Sequence, residues 1–416
     1  MKKLIVPILI VCSLIVVINL ATVNNQESSG ILSDVDFNKD DYQKIISSNN
    51  QLGFDLLPDA GANKDGNIFI SPTSLLMALS MVYNGADGVT REEMAKVFHV
   101  EGIEANQLNK ANASLMSLLQ SDSKHGQLKV ANSIWLSNHF HFQNDFAQNN
   151  RRFYNAKIQE VDLTNSQTPK TINDWVEKST NKRITKMIDG KLNSDVVAVL
   201  INAIYFKGDW MHEFDKKNTV KRTFHLEDGT SKEMPFMTLN RKLAYMENED
   251  FQAVTLPYAD GKMSMHVFLP KKDYSLGKFE KMLTNDNWKK WNSEFHEREG
   301  KVLLPKFQME YEAEWTEALK KLGMTSAFDE RAHFTKMIIG SDPIWISEIK
   351  QKTFIEVNEK GTEAAAATSV KMEKASAPVA GPFHMEVNHP FFLAITDNEA
   401  GAILFMGSIF NPQKGK

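Results

Sequence analysis

Thr353-Phe354-Ile355-Glu356-Val357-Asn358-Glu359-Lys360-Gly361-Thr362-Glu363-Ala364-Ala365-Ala366-Ala367-Thr368-Ser369-Val370-Lys371-Met372-Glu373-Lys374-Ala375-Ser376 is the most informative stretch of this chain. Its first five residues alternate apolar and polar side chains and read as a strand. Asn358-Glu359-Lys360-Gly361 reads as a turn. From Thr362 onward, a period of two separates Thr362, Ala364, Ala366, Thr368, Val370 and Met372 from Glu363, Ala365, Ala367, Ser369, Lys371 and Glu373. The first set is small or apolar and the second small or charged, with no glycine or proline up to Ala377. A strand with a slim leading end fits this pattern. Helix and loop stay open on composition, since alanine is the best helix former. Pro378 and Gly381-Pro382 mark exposed chain beyond.

On either side of this stretch, strand and helix signals alternate without a βαβ rhythm. Ser71 is placed to cap a helix that starts at Pro72, carries an apolar face through Leu75, Leu76, Ala78, Leu79 and Val82, and stops at Asn84-Gly85. The apolar run from Val197 to Phe206 predicts a central strand buried on both faces and ended by Lys207-Gly208. Met263 to Pro270 predicts a strand, and Trp315 to Leu322 a short helix. Phe391 to Ile395 and Ile403 to Met406 predict two strands joined by a hairpin loop, Asp397 to Gly401. The class is α+β with large, mostly antiparallel sheets.

The 416 residues can bury a large core, so a disordered or collagen-like chain is excluded. Basic and acidic residues nearly balance, 48 against 52, and no basic excess marks a nucleic-acid partner. Cys12 is the sole cysteine, which rules out an internal disulfide, a Cys/His zinc cluster and a cysteine nucleophile in the folded body. Met1-Lys2-Lys3 followed by apolar Leu4 to Leu20 reads as a signal peptide or an uncleaved membrane anchor within residues 1–23. A polar linker at 24–36 leads to one domain at 37–412 and a tail at 413–416. The expected location is secreted or extracellular, with a tether through residues 4–20 as the alternative. No G-x-S-x-G, P-loop, G-x-G-x-x-G or H-E-x-x-H pattern occurs, so no catalytic residue, cofactor or metal is expected.

Several segments resemble one family, the serpins. They are Asn67 to Ser74, Gly85 to Thr90, Ala131 to Trp135, Asn202 to Trp210, Glu359 to Ala364 and Val387 to Phe391. The resemblance covers nearly the whole body. It implies the serpin fold: three β-sheets, eight or nine helices, and an exposed reactive-centre loop at about 359–383. It implies a suicide-substrate inhibitor, not an enzyme, that traps serine proteases when its cleaved loop inserts into a sheet.

By the same resemblance, Glu359, Gly361, Thr362, Ala364, Ala365, Ala366 and Ala367 form the hinge. Ser71, Ser74, Asn202 and Gln351 lie in the shutter beneath the sheet, Trp210 lies at the breach where the loop enters, and Lys306 pairs with Glu359. Family members often carry histidine where this chain has Gln351, which keeps hydrogen bonding and loses titration. Counting Glu359 as the seventeenth residue before the reactive bond places that bond between Ala375 and Ser376. A small residue there suits elastase-like or subtilisin-like proteases. A shift of one gives Lys374 and Ala375, which suits trypsin-like enzymes. The helical region Leu108 to Leu119 has only Lys110 as a basic residue, so no strong heparin-type activation is expected. The chain is expected to be a monomer. The alternative readings are a non-inhibitory serpin-fold substrate or binding module, and a hydrolase with an unrecognised site.

Overall fold

The computed structural model describes residues 35–119, 126–193, 195–272, 274–362 and 381–414. The apolar start and most of the linker lie outside these residues. So do Ala364, Ala365, Ala366 and Ala367, and the reactive-bond candidates Lys374, Ala375 and Ser376. Among the described residues, no helix is long and apolar enough to cross a membrane.

The helices are α1 (Ile46–Leu56), α2 (Pro72–Tyr83), α3 (Gly88–Val97), α4 (Ala105–Leu119), α5 (Asn144–Tyr154), α6 (Thr168–Ser179), α7 (Leu276–Glu280), α8 (Asn285–Glu294) and α9 (Thr316–Leu322). The strands up to residue 270 are β1 (Ile68–Ile70), β2 (Gly126–Ser137), β3 (Lys157–Val161), β4 (Ala198–Asp209), β5 (Val220–His225), β6 (Ser231–Glu247), β7 (Phe251–Pro257) and β8 (Met263–Pro270). They are followed by β9 (His296–Pro305), β10 (Phe307–Glu314), β11 (Glu348–Val357), β12 (Gly361–Thr362), β13 (Phe383–Glu386), β14 (Phe391–Asp397) and β15 (Ile403–Ile409).

One sheet has the order β10-β11-β12-β4-β2-β3, with β11 also paired to β4. The other runs β1-β15-β14-β8-β7-β6-β9-β13, with β5 on β6. The expected three sheets thus form two hydrogen-bonded networks, because β6 is long enough to serve two of them. Its body pairs with β5 and β9, and its end, Tyr245 to Glu247, pairs with β7. Among the described residues, parallel pairing is confined to β11–β4, β2–β3 and β13–β9, and the remaining ladders are antiparallel.

Strand β4 shows why its sequence is apolar without alternation. Leu200, Ile204 and Phe206 face the main core, while Val199, Ile201 and Ala203 face a second core under α6. Lys207-Gly208 does not end this strand. It runs on to Asp209 because Gly208 pairs with Gly126 on one side and Thr362 on the other. Helix α2 is buried on all sides, beyond the single apolar face its periodicity suggests. Its cap forms as read: the Ser74 backbone N–H donates to Ser71 Oγ at 3.2 Å, and that hydroxyl donates to the Leu404 carbonyl at 2.6 Å.

Between the sheet and α8, His266 bridges the hydroxyls of Thr255 (3.0 Å) and Thr396 (2.9 Å) against the edge of Trp288. Burial pushes its imidazole down to about 4. The unfolded imidazole, near 6.5, takes up its proton first, so stability is full above 6.5 and falls as pH drops towards 4. The loss is about 3 kcal/mol across that window. Unfolding midpoints of the wild type measured from pH 7 to 4 are expected to carry this slope, and His266→Gln is expected to flatten it.

Candidate functional site

Strands β11 and β4 lie side by side and parallel, from Glu348 opposite Val199 to Phe354 opposite Tyr205. Above that level they part, and β12 occupies the gap. Thr362 pairs with Val357 of β11 and with Gly208 of β4, antiparallel to both, while Gly361 pairs with Asp209. The chain reaches this position through a tight turn, in which the Asn358 N–H donates to the Gly361 carbonyl at 2.9 Å. Gly361 has to be glycine here, because a Cβ would collide with the carbonyl of Gly208.

The turn is fastened from below and beside. Trp210 donates its backbone N–H to the Lys360 carbonyl (2.7 Å) and its indole N–H to the Asn358 carbonyl (2.9 Å). The Phe214 N–H donates to the Glu359 carbonyl at 2.8 Å. Lys306 Nζ donates to Glu359 Oε2 at 3.0 Å, and the Thr219 hydroxyl to Glu359 Oε1 at 3.0 Å. Burial opposes ionisation of Glu359, but the bonds from Lys306 and Thr219 outweigh it and hold the carboxyl below its ordinary range. The Thr362 hydroxyl lies 2.8 Å from that of Tyr258.

A second cluster lies lower in the same sheet. Asn132, Asn202 and Gln351 stand at one level on β2, β4 and β11. Gln351 donates to Asn202 Oδ1 (2.8 Å) and to the Ser71 carbonyl (2.9 Å), and it accepts from the Ser71 N–H (3.2 Å). Asn202 donates to Asn132 Oδ1 (2.7 Å), the Ser74 carbonyl (3.2 Å) and the Ser74 hydroxyl. These neutral groups cross the β4–β11 seam and tie it to the head of α2. The two clusters lie six residues apart on β4, about 20 Å.

The far end of the loop is held separately. Strand β13 pairs with β9, Phe383 stacks on Tyr245 at 4.1 Å, and Arg298 donates its Nε–H to the Gly381 carbonyl at 2.9 Å.

The structure therefore brings Trp210, Lys306, Glu359, Gly361 and Thr362 together at the head of the sheet. Ser71, Ser74, Asn202 and Gln351 gather at its centre. Sequence reasoning missed Asn132, Thr219 and Tyr258, whose places depend on pairings between distant segments. Among the described residues, no group of His, Cys, Asp and Glu has the arrangement of a metal site.

Residues 47–412 match the family model described as Serpin (serine protease inhibitor). A serpin-like protein of Thermococcus kodakarensis is 34% identical over 378 residues, covering 89% of this chain and 86% of that one. Human Serpin B11 is 33% identical over 392 residues, covering 88% and 99%. The crystal structure of the thermophilic serpin tengpin in its native state matches with TM-score 0.81 and 33% identity, covering 88% of this chain and 94% of that one. An Arabidopsis serpin in its native stressed conformation matches with TM-score 0.78 and 28% identity, covering 89% and 98%. The chain belongs to the serpin family.

Proposed function

We propose that this serpin is a suicide-substrate inhibitor of serine proteases. Most serpins inhibit proteases and some do not, so the reading needs support from this chain. The observation that carries it is β12. A strand entering between β11 and β4 after a tight turn must run antiparallel to β11. Because β4 runs parallel to β11, the new strand is antiparallel to β4 as well. Insertion exchanges one parallel ladder for two antiparallel ones, the stronger pairing per residue. Gly361 and Thr362 already occupy the first two places of that strand.

Continued in this register, Ala364 meets Ile355 and Phe206, Ala366 meets Thr353 and Ile204, and Thr368 meets Gln351 and Asn202. Small side chains thus come first on the inward face, and Thr368 brings a hydroxyl to the amides it separates. The protease serine attacks the carbonyl of the reactive bond, Ala375–Ser376 or Lys374–Ala375, forming an acyl-enzyme and releasing the new amino terminus. The freed loop runs down the seam with the protease attached. The roughly 14 residues from Thr362 to Ala375 cover about 45 Å in extended form. Insertion has to outrun deacylation, which is why the slim alanine run leads. The proposed targets are elastase-like or subtilisin-like, with trypsin-like enzymes matching a cut after Lys374. The single domain at 37–412 acts as an exported monomer, released or tethered by its apolar start, without nucleic acid or cofactor.

Purified protein incubated with elastase, subtilisin and trypsin is expected to give a detergent-resistant adduct with at least one of them. Mass spectrometry of the released C-terminal peptide identifies the bond. Clean cleavage without adduct supports the non-inhibitory reading, and turnover of a small substrate supports a hydrolase.

A further inference from the structure

Tyr258 follows β7 and faces Trp210 across an isolated antiparallel bridge. Its N–H donates to the Met263 carbonyl at 3.0 Å, and its carbonyl accepts from the Gly261 N–H at 2.8 Å, so the backbone holds it from both sides. The ring is held as firmly. Trp210 stacks on it at 4.7 Å and 10°, and the edge of Phe206 meets it at 4.9 Å and 77°. A Cβ at Gly208 would lie 2.7 Å from Tyr258 Cδ1, so the ring lies across β4 only because residue 208 is glycine. The phenol is fully buried, and burial pushes its pKa up, so it stays an intact O–H. Its oxygen lies 2.8 Å from the hydroxyl of Thr362, which is itself fully buried.

We infer that Tyr258 is a positioning residue for strand insertion: it docks the Thr362 side chain and seeds the two ladders before the loop is cut. This rests on the trap reading above. Seeding matters because the first pairing of a new strand orders backbone with few bonds in return. With Thr362 fixed in advance, each later residue adds to an existing ladder. The docking site is selective for a hydroxyl at position 362. Alanine or valine leaves a buried phenol without a partner.

The test is a double-mutant cycle on the full chain, using Tyr258→Phe, Thr362→Val and both together. The readouts are the stoichiometry of inhibition with whichever protease forms the adduct, and the thermal midpoint of the uncut protein. Each single change strands one buried hydroxyl and is expected to raise the stoichiometry about two- to tenfold. The double variant replaces both by apolar groups and is expected to move back towards the wild type. Independent, multiplying effects would overturn the inference, as would a Tyr258→Phe chain that inhibits as the wild type does. A generally structural tyrosine predicts losses that ignore residue 362. If the wild type makes no adduct, the trap reading falls. The midpoint cycle then judges the Tyr258–Thr362 contact alone, and zero coupling there overturns it.

Discussion

Cleavage of the loop is expected to raise the thermal unfolding midpoint by on the order of 10 °C or more, the reverse of what a nick does to an ordinary domain. A metalloprotease of the thermolysin type suits the experiment, because it forms no acyl-enzyme and leaves a free nicked chain. After the cut, residues beyond Thr362 are free to continue the strand that β12 begins. The ladder from Glu348–Val199 to Phe354–Tyr205 is given up, and a ladder on each side of the new strand replaces it. The net gain is roughly ten backbone hydrogen bonds at ~0.5–1.5 kcal/mol each, or on the order of 10 kcal/mol. Inward burial of Ala364, Ala366, Val370 and Met372 offsets the entropy of ordering the loop. For a domain of this size such a gain corresponds to a midpoint shift of the order of 10 °C. A scan of cut and uncut protein that superimposes would remove the basis for the trap.

Thr362→Arg is expected to turn the inhibitor into a substrate. Position 362 is fully buried, paired on both sides and floored by the Tyr258 ring, with Trp210 stacked behind that ring. A guanidinium there has to leave water for a site that now holds a threonine hydroxyl, and burying a poorly paired charge costs several kcal/mol. Each 1.4 kcal/mol added to the insertion barrier slows insertion tenfold while deacylation is untouched. The stoichiometry of inhibition should rise at least tenfold, with cleaved chain replacing the adduct on a denaturing gel. Adduct yields equal to the wild type would contradict the geometry of the hinge. The variant remains cuttable, because the loop beyond the hinge is unchanged.

Much of the architecture is legible in the residues because local patterns carry it. Ser71-Pro72 announces α2, Met263 to Pro270 is β8 to the residue, and the unbroken apolar run of β4 reflects a strand between two cores. The placement of β11 beside β4 is not legible locally. About 150 residues separate them, and no periodicity encodes which strand a given strand meets. The same holds for Tyr258, which reads as the unremarked end of a strand until Gly208 and Thr362 are brought to it. The grouping of Ser71, Ser74, Asn202 and Gln351, and of Lys306 with Glu359, came from family resemblance, since their types and spacings alone say nothing of proximity. Asn132 shows the limit. It has the same residue type as Asn202 and stands opposite it, yet the resemblance of Ala131 to Trp135 marks only the segment and gives Asn132 no role.

The far end of the loop has a consequence of its own. With Phe383 of β13 stacked on Tyr245 and Gly381 tied to Arg298, the two described ends of the uncut loop are both held, and on the proposed trap reading the better-paired sheet waits on the cut. On that reading, what keeps the molecule in its synthesised form is a barrier and not a minimum. Shelf life, heat tolerance and refolding yield should all track rates of escape, and the heating speed chosen for a melt will move the answer.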